Sequence, residues 1–236
     1  MNEPRLPQIS ELADLLRERL ATTPRLILGV VGAPGSGKST FAERLLDQFD
    51  PGEAVIVPMD GFHLAQSIIS GTELEQRRGA PDTFDVDGYV SLLRRLRARD
   101  EGVVYAPTYR RGLEEPIAAS VAVPRAVPLV ITEGNYLLIE LAGWRAVRDL
   151  LDEAWFVDIP DAIRVPQLIQ RHIEFGMNPD AAVAWANGPD ARNAQLVASS
   201  RNRASRIIAV EFIPSARSVG MIGQNDTSRP MNETGL

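Results

Sequence analysis

The sequence GAPGSGKS occupies residues 32–39, between an apolar run at residues 25–31 and a segment with helical periodicity at residues 39–49. It fits the pattern GxxxxGK[ST] and lies where that pattern binds phosphate, after a buried strand and before a helix. Its glycines let the backbone approach a phosphate closely, and the helix N-terminus adds positive potential. We therefore predict a nucleoside triphosphate site. The alternative is an incidental glycine-rich turn, and nucleotide binding alone defines no reaction.

Each residue of this loop has an expected part in holding the nucleotide. Lys38 should reach the β- and γ-phosphates, and the hydroxyl group of Ser39 should ligate Mg²⁺. The predicted nucleotide-binding residues are Gly32, Ala33, Pro34, Gly35, Ser36, Gly37, Lys38, Ser39 and Thr40.

Apolar strands alternate with helices along the chain. Strands are predicted at residues 25–31, 55–59, 103–105, 127–132, 154–159 and 207–212. Helices are predicted at residues 10–20, 39–49, 89–99, 144–151, 165–175, 181–186 and 191–205. This alternation predicts an α/β fold with a parallel sheet. We expect an N-terminal helical segment at 1–24, one domain at 25–214 and a disordered polar tail at 215–236.

Composition limits the function classes. A chain of 236 residues with 44% hydrophobic and 24% charged residues fits one soluble α/β domain. The net charge of −6 disfavours a strong electrostatic hold on nucleic acid. The sequence contains no cysteine, which excludes disulfides, thiolate metal sites and cysteine nucleophiles. It has neither a signal-peptide pattern nor an apolar run of about 20 residues, so we expect a cytoplasmic protein without a membrane span.

Two acidic residues follow predicted strands. Asp60 comes directly after residues 55–59, and Glu133 comes directly after residues 127–132. Strand ends of this kind face the ligand crevice of an open α/β sheet. Asp60 could therefore accept the proton of an acceptor hydroxyl, and Glu133 could hold the hydration shell of Mg²⁺. The alternative for Asp60 is that it forms an ordinary turn with Gly61. His63, two residues further on, could likewise be a packed loop histidine without a catalytic role.

Four motifs, in this order, resemble the superfamily of uridine kinase, phosphoribulokinase and bacterial pantothenate kinase. They are the phosphate loop, MDGFH at 59–63, RGAPDTFD at 78–85 and EGNY at 133–136. Within this superfamily the chain is most similar to a bacterial branch that is labelled nucleoside/nucleotide kinase-like, pantothenate kinase-like or fructokinase-like. The resemblance extends from residue 26 to residue 212.

The resemblance implies a three-layer P-loop NTP hydrolase fold with a mainly parallel five-stranded sheet and a helical lid. The strand that ends at Glu133 should lie beside the strand of the phosphate loop. The catalytic residues it implies are Asp60 as the base, Lys38, Glu133 and Arg171, the last as the lid arginine. The acceptor-binding residues it implies are Asp60, His63, Arg78, Tyr109 and Tyr136. ATP and Mg²⁺ are the implied cofactors, with Ser39 and Glu133 at the metal.

The leading hypothesis is an ATP-dependent kinase that phosphorylates a hydroxyl group of a small metabolite. The acceptor could be a nucleoside, pantothenate or a sugar, and the preference between ATP and GTP is open. The alternative is an NTP-hydrolysing switch with a protein partner, although the guanine-reading motif Asn-Lys-x-Asp of a GTPase is absent from the sequence. A nucleic-acid-processing ATPase fits the acidic balance poorly. A homodimer would be consistent with the resemblance.

Overall fold

The computed structural model describes residues 8–209. The strands are β1 (Leu26–Val31), β2 (Ala54–Pro58), β3 (Val103–Arg110), β4 (Glu115–Pro124), β5 (Leu129–Gly134), β6 (Glu153–Asp158) and β7 (Arg206–Ala209). Five of them form one sheet in the order β2-β5-β1-β6-β7, and every neighbouring pair is parallel. This is the five-stranded parallel sheet that was expected.

Helices cover both faces of this sheet. They are α1 (Ile9–Leu20), α2 (Lys38–Leu46), α3 (Gln66–Ile69), α4 (Val86–Ala98), α5 (Arg145–Arg148), α6 (Asp161–Glu174), α7 (Pro179–Asn187) and α8 (Pro189–Ser199). Side chains alternate between the faces along each strand. In β1, Leu28 and Val30 pack with α1 and α2, whereas Ile27 and Val31 pack with α4 and α5. The result is the predicted three-layer α/β fold.

The central strands bring the predicted acid to the phosphate loop. Every residue of β1 and β5 is buried, as their continuous apolar runs predict. The two strands pair in register from Leu26 with Leu129 to Val31 with Gly134, so Glu133 lies beside Val30. The predicted adjacency of these two strands is therefore confirmed.

The main difference from the predicted elements is a hairpin outside the central sheet. Strand β3 continues to Arg110, beyond the predicted residues 103–105, and pairs in antiparallel fashion with β4, which the pattern did not predict. Most of β4 is partly or fully exposed, so it lacks the apolar run of a buried strand. The hairpin places its connecting turn near the carboxyl end of β2.

Several helix boundaries also differ from the predictions. The segment 144–151 contains only the four helical residues of α5, and α8 ends at Ser199 instead of continuing to residue 205. The chain must leave α8 early, because the Ser205 amide donates to the Ala154 carbonyl at 2.8 Å where β7 joins β6. Helix α6 begins at Asp161 and contains Pro166. The predicted end of the last strand and the predicted tail lie outside the described residues.

No helix within residues 8–209 is long and apolar enough to cross a membrane.

Candidate active site

The phosphate loop closes tightly between β1 and α2. Gly35 and Gly37 have φ angles of 78° and 80°, in the left-handed region that favours glycine. A Cβ atom on Gly32 would lie 2.3 Å from the Ser36 Oγ atom, so any larger residue would have to displace the Ser36 side chain. Ser36 Oγ is buried and has no hydrogen-bond partner in the described part of the chain. The loop thus has a close-packed glycine backbone, and the Ser36 hydroxyl is available to donate a hydrogen bond to a bound phosphate group.

Lys38 is the first residue of α2 and is buried, with 8% of its surface exposed. Burial lowers the pKa of Lys38, whereas the nearby carboxylates of Glu133 and Asp60 act to raise it. Arg171 and Arg111 add to the lowering. The ammonium group therefore lies among two acids and two arginines, all close enough to influence its charge.

Glu133 lies in β5, directly beside the loop strand, and 6% of it is exposed. Burial raises the pKa of Glu133, although Lys38 and the Ser39 hydroxyl act to lower it. Its Oε2 atom has no hydrogen-bond partner among residues 8–209. A buried carboxylate oxygen without a partner is costly, and a bound cation would remove that cost.

Asp60 lies in the 3₁₀ turn Met59–Phe62 that follows β2. Burial acts to raise the pKa of Asp60, but the charges of His63, Lys38 and Arg111 outweigh it and lower the pKa below the ordinary value. Oδ2 of Asp60 lies 3.3 Å from an Nη2 atom of Arg111. The carboxylate is therefore ionised at neutral pH and can accept a proton.

His63 is fixed by stacking and by one backbone contact. Its ring centroid lies 4.1 Å from that of Phe84 and 4.5 Å from that of Tyr109. Its Nδ1 atom lies 2.8 Å from the Asp60 carbonyl oxygen. Burial lowers the pKa of His63 despite the opposing charge of Asp60. Because a carbonyl oxygen can only accept, Nδ1 of the ring donates this hydrogen bond.

Arg78 and Tyr109 form one wall of the cleft. The Arg78 guanidinium lies over the Tyr109 ring, 5.6 Å from its centroid. It donates to the Gln66 side-chain oxygen and to the Glu114 carbonyl oxygen. The Tyr109 hydroxyl donates to Glu114 Oε2 at 2.7 Å. The hairpin turn and the 78–85 segment are thereby held together.

Tyr136 does not enter the cleft. Its side chain is fully buried and packs on Phe84 and Trp144, with ring centroids at 5.7 and 5.4 Å. Its hydroxyl donates to the Gly79 carbonyl oxygen. Tyr136 therefore supports the 78–85 segment from behind. Because its side chain has no exposed surface, it cannot make the predicted contact with an acceptor in this structure.

Helices α6 to α8 cover one side of the site. Arg171 of α6 borders the cleft, and burial together with the Arg111 charge lowers its pKa. His172 Nε2 lies 2.7 Å from Asp190 Oδ2 of α8. Asn193, also in α8, donates to the Gly79 carbonyl oxygen at 3.3 Å. These contacts tie the covering helices to the 78–85 segment.

The cleft between these elements has a volume of about 430 Å³. The predicted residues that border it are Pro34, Lys38, Ser39, Asp60, His63, Arg78, Tyr109 and Arg171. Ala33 and Ser36 border a second cavity, of about 270 Å³, on the other side of the loop. Thr40 is exposed in the first turn of α2.

Arg111 is the functional candidate that sequence reasoning missed. It follows β3 in the hairpin turn, borders the cleft, contacts Asp60 and lies 5.8 Å from the Phe175 ring centroid. The available signal was the run Arg110-Arg111-Gly112, which is also typical of a solvated turn. Only the pairing of β3 with β4 brings it to the acid.

This geometry defines a class of protein. A glycine-rich loop between a buried strand and a helix, a buried lysine and an acid on the adjacent strand are features of P-loop nucleotide-binding α/β proteins. Residues 27–181 match the model of the Phosphoribulokinase / Uridine kinase family. The chain belongs to this family.

Relatives and solved structures agree with this membership. Protein YggC of Escherichia coli (strain K12) is 34% identical over 188 residues, which cover 78% of this chain and 77% of that protein. A uridine kinase of Leuconostoc citreum (strain KM20) is 31% identical over 156 residues, covering 63% and 69%. A candidate fructose transport system kinase from Silicibacter sp. TM1040 has a crystal structure with a TM-score of 0.75 and 36% identity, covering 85% and 98%. These similarities support a small-molecule kinase.

Proposed function

We propose that this protein is an ATP- and Mg²⁺-dependent kinase that phosphorylates a hydroxyl group of a small metabolite of the nucleoside, pantothenate or sugar class. The observation that carries the proposal is the position of Asp60. Its ionised carboxylate borders the same cleft as Lys38 and Ser39 but belongs to a different strand end. A base at that place serves an acceptor that enters beside the phosphate loop.

The transfer then follows from the positions of the side chains. The acceptor oxygen forms a bond to the γ-phosphorus, and the bond from that phosphorus to the bridging oxygen breaks. ADP leaves with the electron pair of the broken bond, while the acceptor proton passes to the Asp60 carboxylate. Lys38 and Arg171 lie where they can stabilise the charge on the transferring group.

The residues present fit a magnesium ion. Ser39 and Glu133 would supply hard oxygen ligands, and the buried Oε2 atom of Glu133 lacks a hydrogen-bond partner among residues 8–209. This suits Mg²⁺, which proteins hold through one or two oxygen ligands together with the nucleotide phosphates. When bound, the ion neutralises charge on the β- and γ-phosphates.

The walls of the cleft favour a kinase over a nucleotide-dependent switch. His63, Arg78 and Tyr109 border the same cleft as the phosphate loop but belong to other segments of the chain. A switch that signals through a protein partner does not require these side chains beside its nucleotide. A small acceptor would use them for orientation.

The test is acceptor-dependent release of ADP. Purified protein with Mg²⁺ and either ATP or GTP is assayed against nucleosides, pantothenate, fructose and related sugars. We expect at least one acceptor to raise ADP release well above the rate without acceptor. Nucleotide hydrolysis that no acceptor stimulates, but that a protein partner does, would instead support the switch.

Two broader expectations accompany this proposal. A cytoplasmic location suits an enzyme that consumes ATP and acts on small metabolites. A homodimer is consistent with the resemblance, and measuring the mass of the protein in solution tests it.

A further inference from the structure

The wall of the cleft formed by Arg78 and Tyr109 carries a positive charge that no carboxylate within residues 8–209 neutralises through a salt bridge. Arg78 donates to the Gln66 side-chain oxygen and to the Glu114 carbonyl oxygen, and both partners are uncharged. Its third contact is the face of the Tyr109 ring. Within residues 8–209, Arg78 takes part in no ion pair. Its Nε atom is also buried without a hydrogen-bond partner there.

The acids near Arg78 are engaged with other groups. The Glu114 carboxylate accepts from the Tyr109 hydroxyl at 2.7 Å and from the Gly112 amide at 2.9 Å. The Glu115 carboxylate accepts from the Gln66 amide at 3.0 and 3.2 Å. These contacts order the frame around the guanidinium and leave it without a salt bridge among residues 8–209, although its charge helps to lower the pKa of Glu114.

Unlike Arg78, the nearby arginines Arg77 and Arg111 each form an ion pair with an acid. Arg77 pairs with Asp82 at 2.5 Å, and Arg111 pairs with Asp60 at 3.3 Å. Arg78 is thus held in one orientation by neutral contacts while it faces the cleft. A guanidinium that is partly withdrawn from water and lacks an anion is unfavourable, and a charge-assisted bond to a ligand anion would compensate it.

Arg78 and the proposed base both lie near the same histidine and border the same cleft. His63 contacts the Asp60 carbonyl oxygen, and both Asp60 and Arg78 influence its charge. An acceptor bound in this cleft could present its hydroxyl group to Asp60 and its other end to Arg78.

We propose that the acceptor carries an anionic group, either a carboxylate or a phosphate monoester, and that Arg78 binds this group. The inference rests on the proposed kinase function and narrows its substrate class. A bidentate guanidinium suits both anions, so the experiment must separate them. The anionic group itself takes no part in the bond changes of the transfer.

The first measurement compares matched acceptors. Neutral alcohols are paired with anionic counterparts: panthenol with pantothenate, glucose with gluconate, and fructose with fructose 6-phosphate, which keeps the 1-hydroxyl free. We expect the preferred acceptor to be anionic, and Arg78→Gln to lower its kcat/KM by roughly 10- to 100-fold, the range for a lost hydrogen bond to a charged group. Arg78→Lys should recover part of this loss, since it keeps the charge but not the planar fork.

Arg77→Gln is the matched control. It removes the same charge from the adjacent residue, whose side chain is paired with Asp82 and does not border the cleft. Its kcat/KM should stay near that of the wild type. If neutral alcohols are phosphorylated as well as their anionic counterparts, or if Arg78→Gln affects both alike, the inference is wrong while the kinase proposal stands.

A second measurement does not depend on turnover. Inorganic phosphate is titrated by calorimetry into protein that is saturated with Mg²⁺ and a non-hydrolysable ATP analogue, so that the phosphate loop is filled. We expect phosphate to bind the wild type and Arg77→Gln, and to bind Arg78→Gln at least about tenfold more weakly. Equal binding by all three proteins, or none, overturns the inference even if no acceptor has been found. Absence of any turnover with retained phosphate binding would count against the kinase proposal alone.

Discussion

Asp60 and Glu133 end neighbouring strands, but their surroundings shift their pKa values in opposite directions. Burial raises the pKa of Glu133, and Lys38 only partly offsets it. Burial also acts to raise the pKa of Asp60, but three nearby basic groups, His63, Lys38 and Arg111, outweigh it. The two carboxylates therefore suit different tasks. Asp60 is ready to accept a proton, whereas Glu133 gains most from a cation that stabilises its charge.

For the single residue Asp60, we expect the substitution Asp60→Asn to slow the chemical step far more than it weakens nucleotide binding. Asn keeps the size and one hydrogen bond but cannot take the acceptor proton. A positioned base contributes about 10²–10⁴-fold in rate, and the loose transition state of phosphoryl transfer favours the lower end. The measurement is kcat together with the ATP Kd. Asp100→Asn, an exposed acid remote from the cleft, is the control.

A kcat within threefold of the wild type would remove Asp60 from the mechanism. A large and equal loss of ATP binding would point instead to a role at the metal.

Arg111 provides a pH test of the same carboxylate. Its charge helps to hold the pKa of Asp60 below the ordinary value. Because activity requires the ionised base, the rate should be lost as the pH falls through the Asp60 pKa. Arg111→Gln removes one cation, so that pKa should rise and the acidic limb of the profile should move to higher pH.

The matched control for this shift is Arg110→Gln, since Arg110 is the exposed neighbour in the hairpin and does not border the cleft. The profile of kcat against pH is measured for all three proteins. An acidic limb that moves equally in both variants, or in neither, contradicts the role assigned to Arg111.

Among the elements, the sequence predicted those whose patterns reflect burial. Strands β1 and β5 are buried throughout, and their apolar runs made both strands predictable. The phosphate loop after β1 and Glu133 near the end of β5 could be placed from the same runs. Strand β4 has little apolar signal because much of it is exposed, and it is stabilised by pairing with β3. The contact of Arg111 with Asp60 depends on that pairing, and no local pattern encodes it. The burial of Tyr136 likewise depends on the packing of Trp144 and Phe84.

Helix α6 is anchored to the phosphate loop as well as covering the cleft. Arg164 is 4% exposed and donates through Nη1 to the Pro34 carbonyl oxygen at 2.8 Å. A Cβ atom on Gly35 would lie 3.0 Å from Leu168 Cβ, so the loop and the helix are in close contact. The first turns of α6 therefore help to fix the loop backbone.

We accordingly expect Arg164→Ala to weaken ATP binding and to lower the free energy of unfolding. The variant leaves the Pro34 carbonyl oxygen without its partner, which costs about 1–3 kcal/mol when the group is buried. Asp161→Asn is the control, because that carboxylate pairs with Arg164 but its side chain is 80% exposed, and exposed pairs contribute about 1 kcal/mol or less.

Urea unfolding and ATP titration measure the two effects. Equal destabilisation by both variants would mean that the ion pair matters and the contact with the loop does not.

For the molecule as a whole, the site combines parts that are distant in the chain. Strand β5 supplies Glu133, and the segments that follow β1 and β2 supply Lys38 and Asp60. The hairpin supplies Tyr109 and Arg111, and α6 supplies Arg171. Ligand binding should therefore stabilise the entire fold and not only one segment.

We expect an ATP analogue with Mg²⁺ to raise the melting temperature. At about 100 times its Kd a ligand adds about 2.7 kcal/mol, which corresponds to roughly 5–11 °C for a domain of this size. Thermal unfolding measures the shift. It should shrink when Mg²⁺ is chelated and in Lys38→Ala, which removes the buried cation of the loop.

An unchanged melting temperature at millimolar nucleotide would contradict nucleotide binding by this loop. A shift that persists fully in Lys38→Ala would place the binding elsewhere.

The order of strands in the sheet also determines how the chain can fold. Within the described residues, β2 pairs only with β5, and β1 pairs only with β5 and β6. Leu26 and its partner Leu129 are separated by about 100 residues, and such distant pairings fold slowly. At a synthesis rate of about 5–20 residues per second, β5 follows β1 from the ribosome by roughly 5–20 s. During that interval the apolar β1 has no strand to pair with, whereas the local β3–β4 hairpin can already close. The nascent chain should therefore bind chaperones until β5 arrives, and protection of the β1 amides from hydrogen exchange should begin only then.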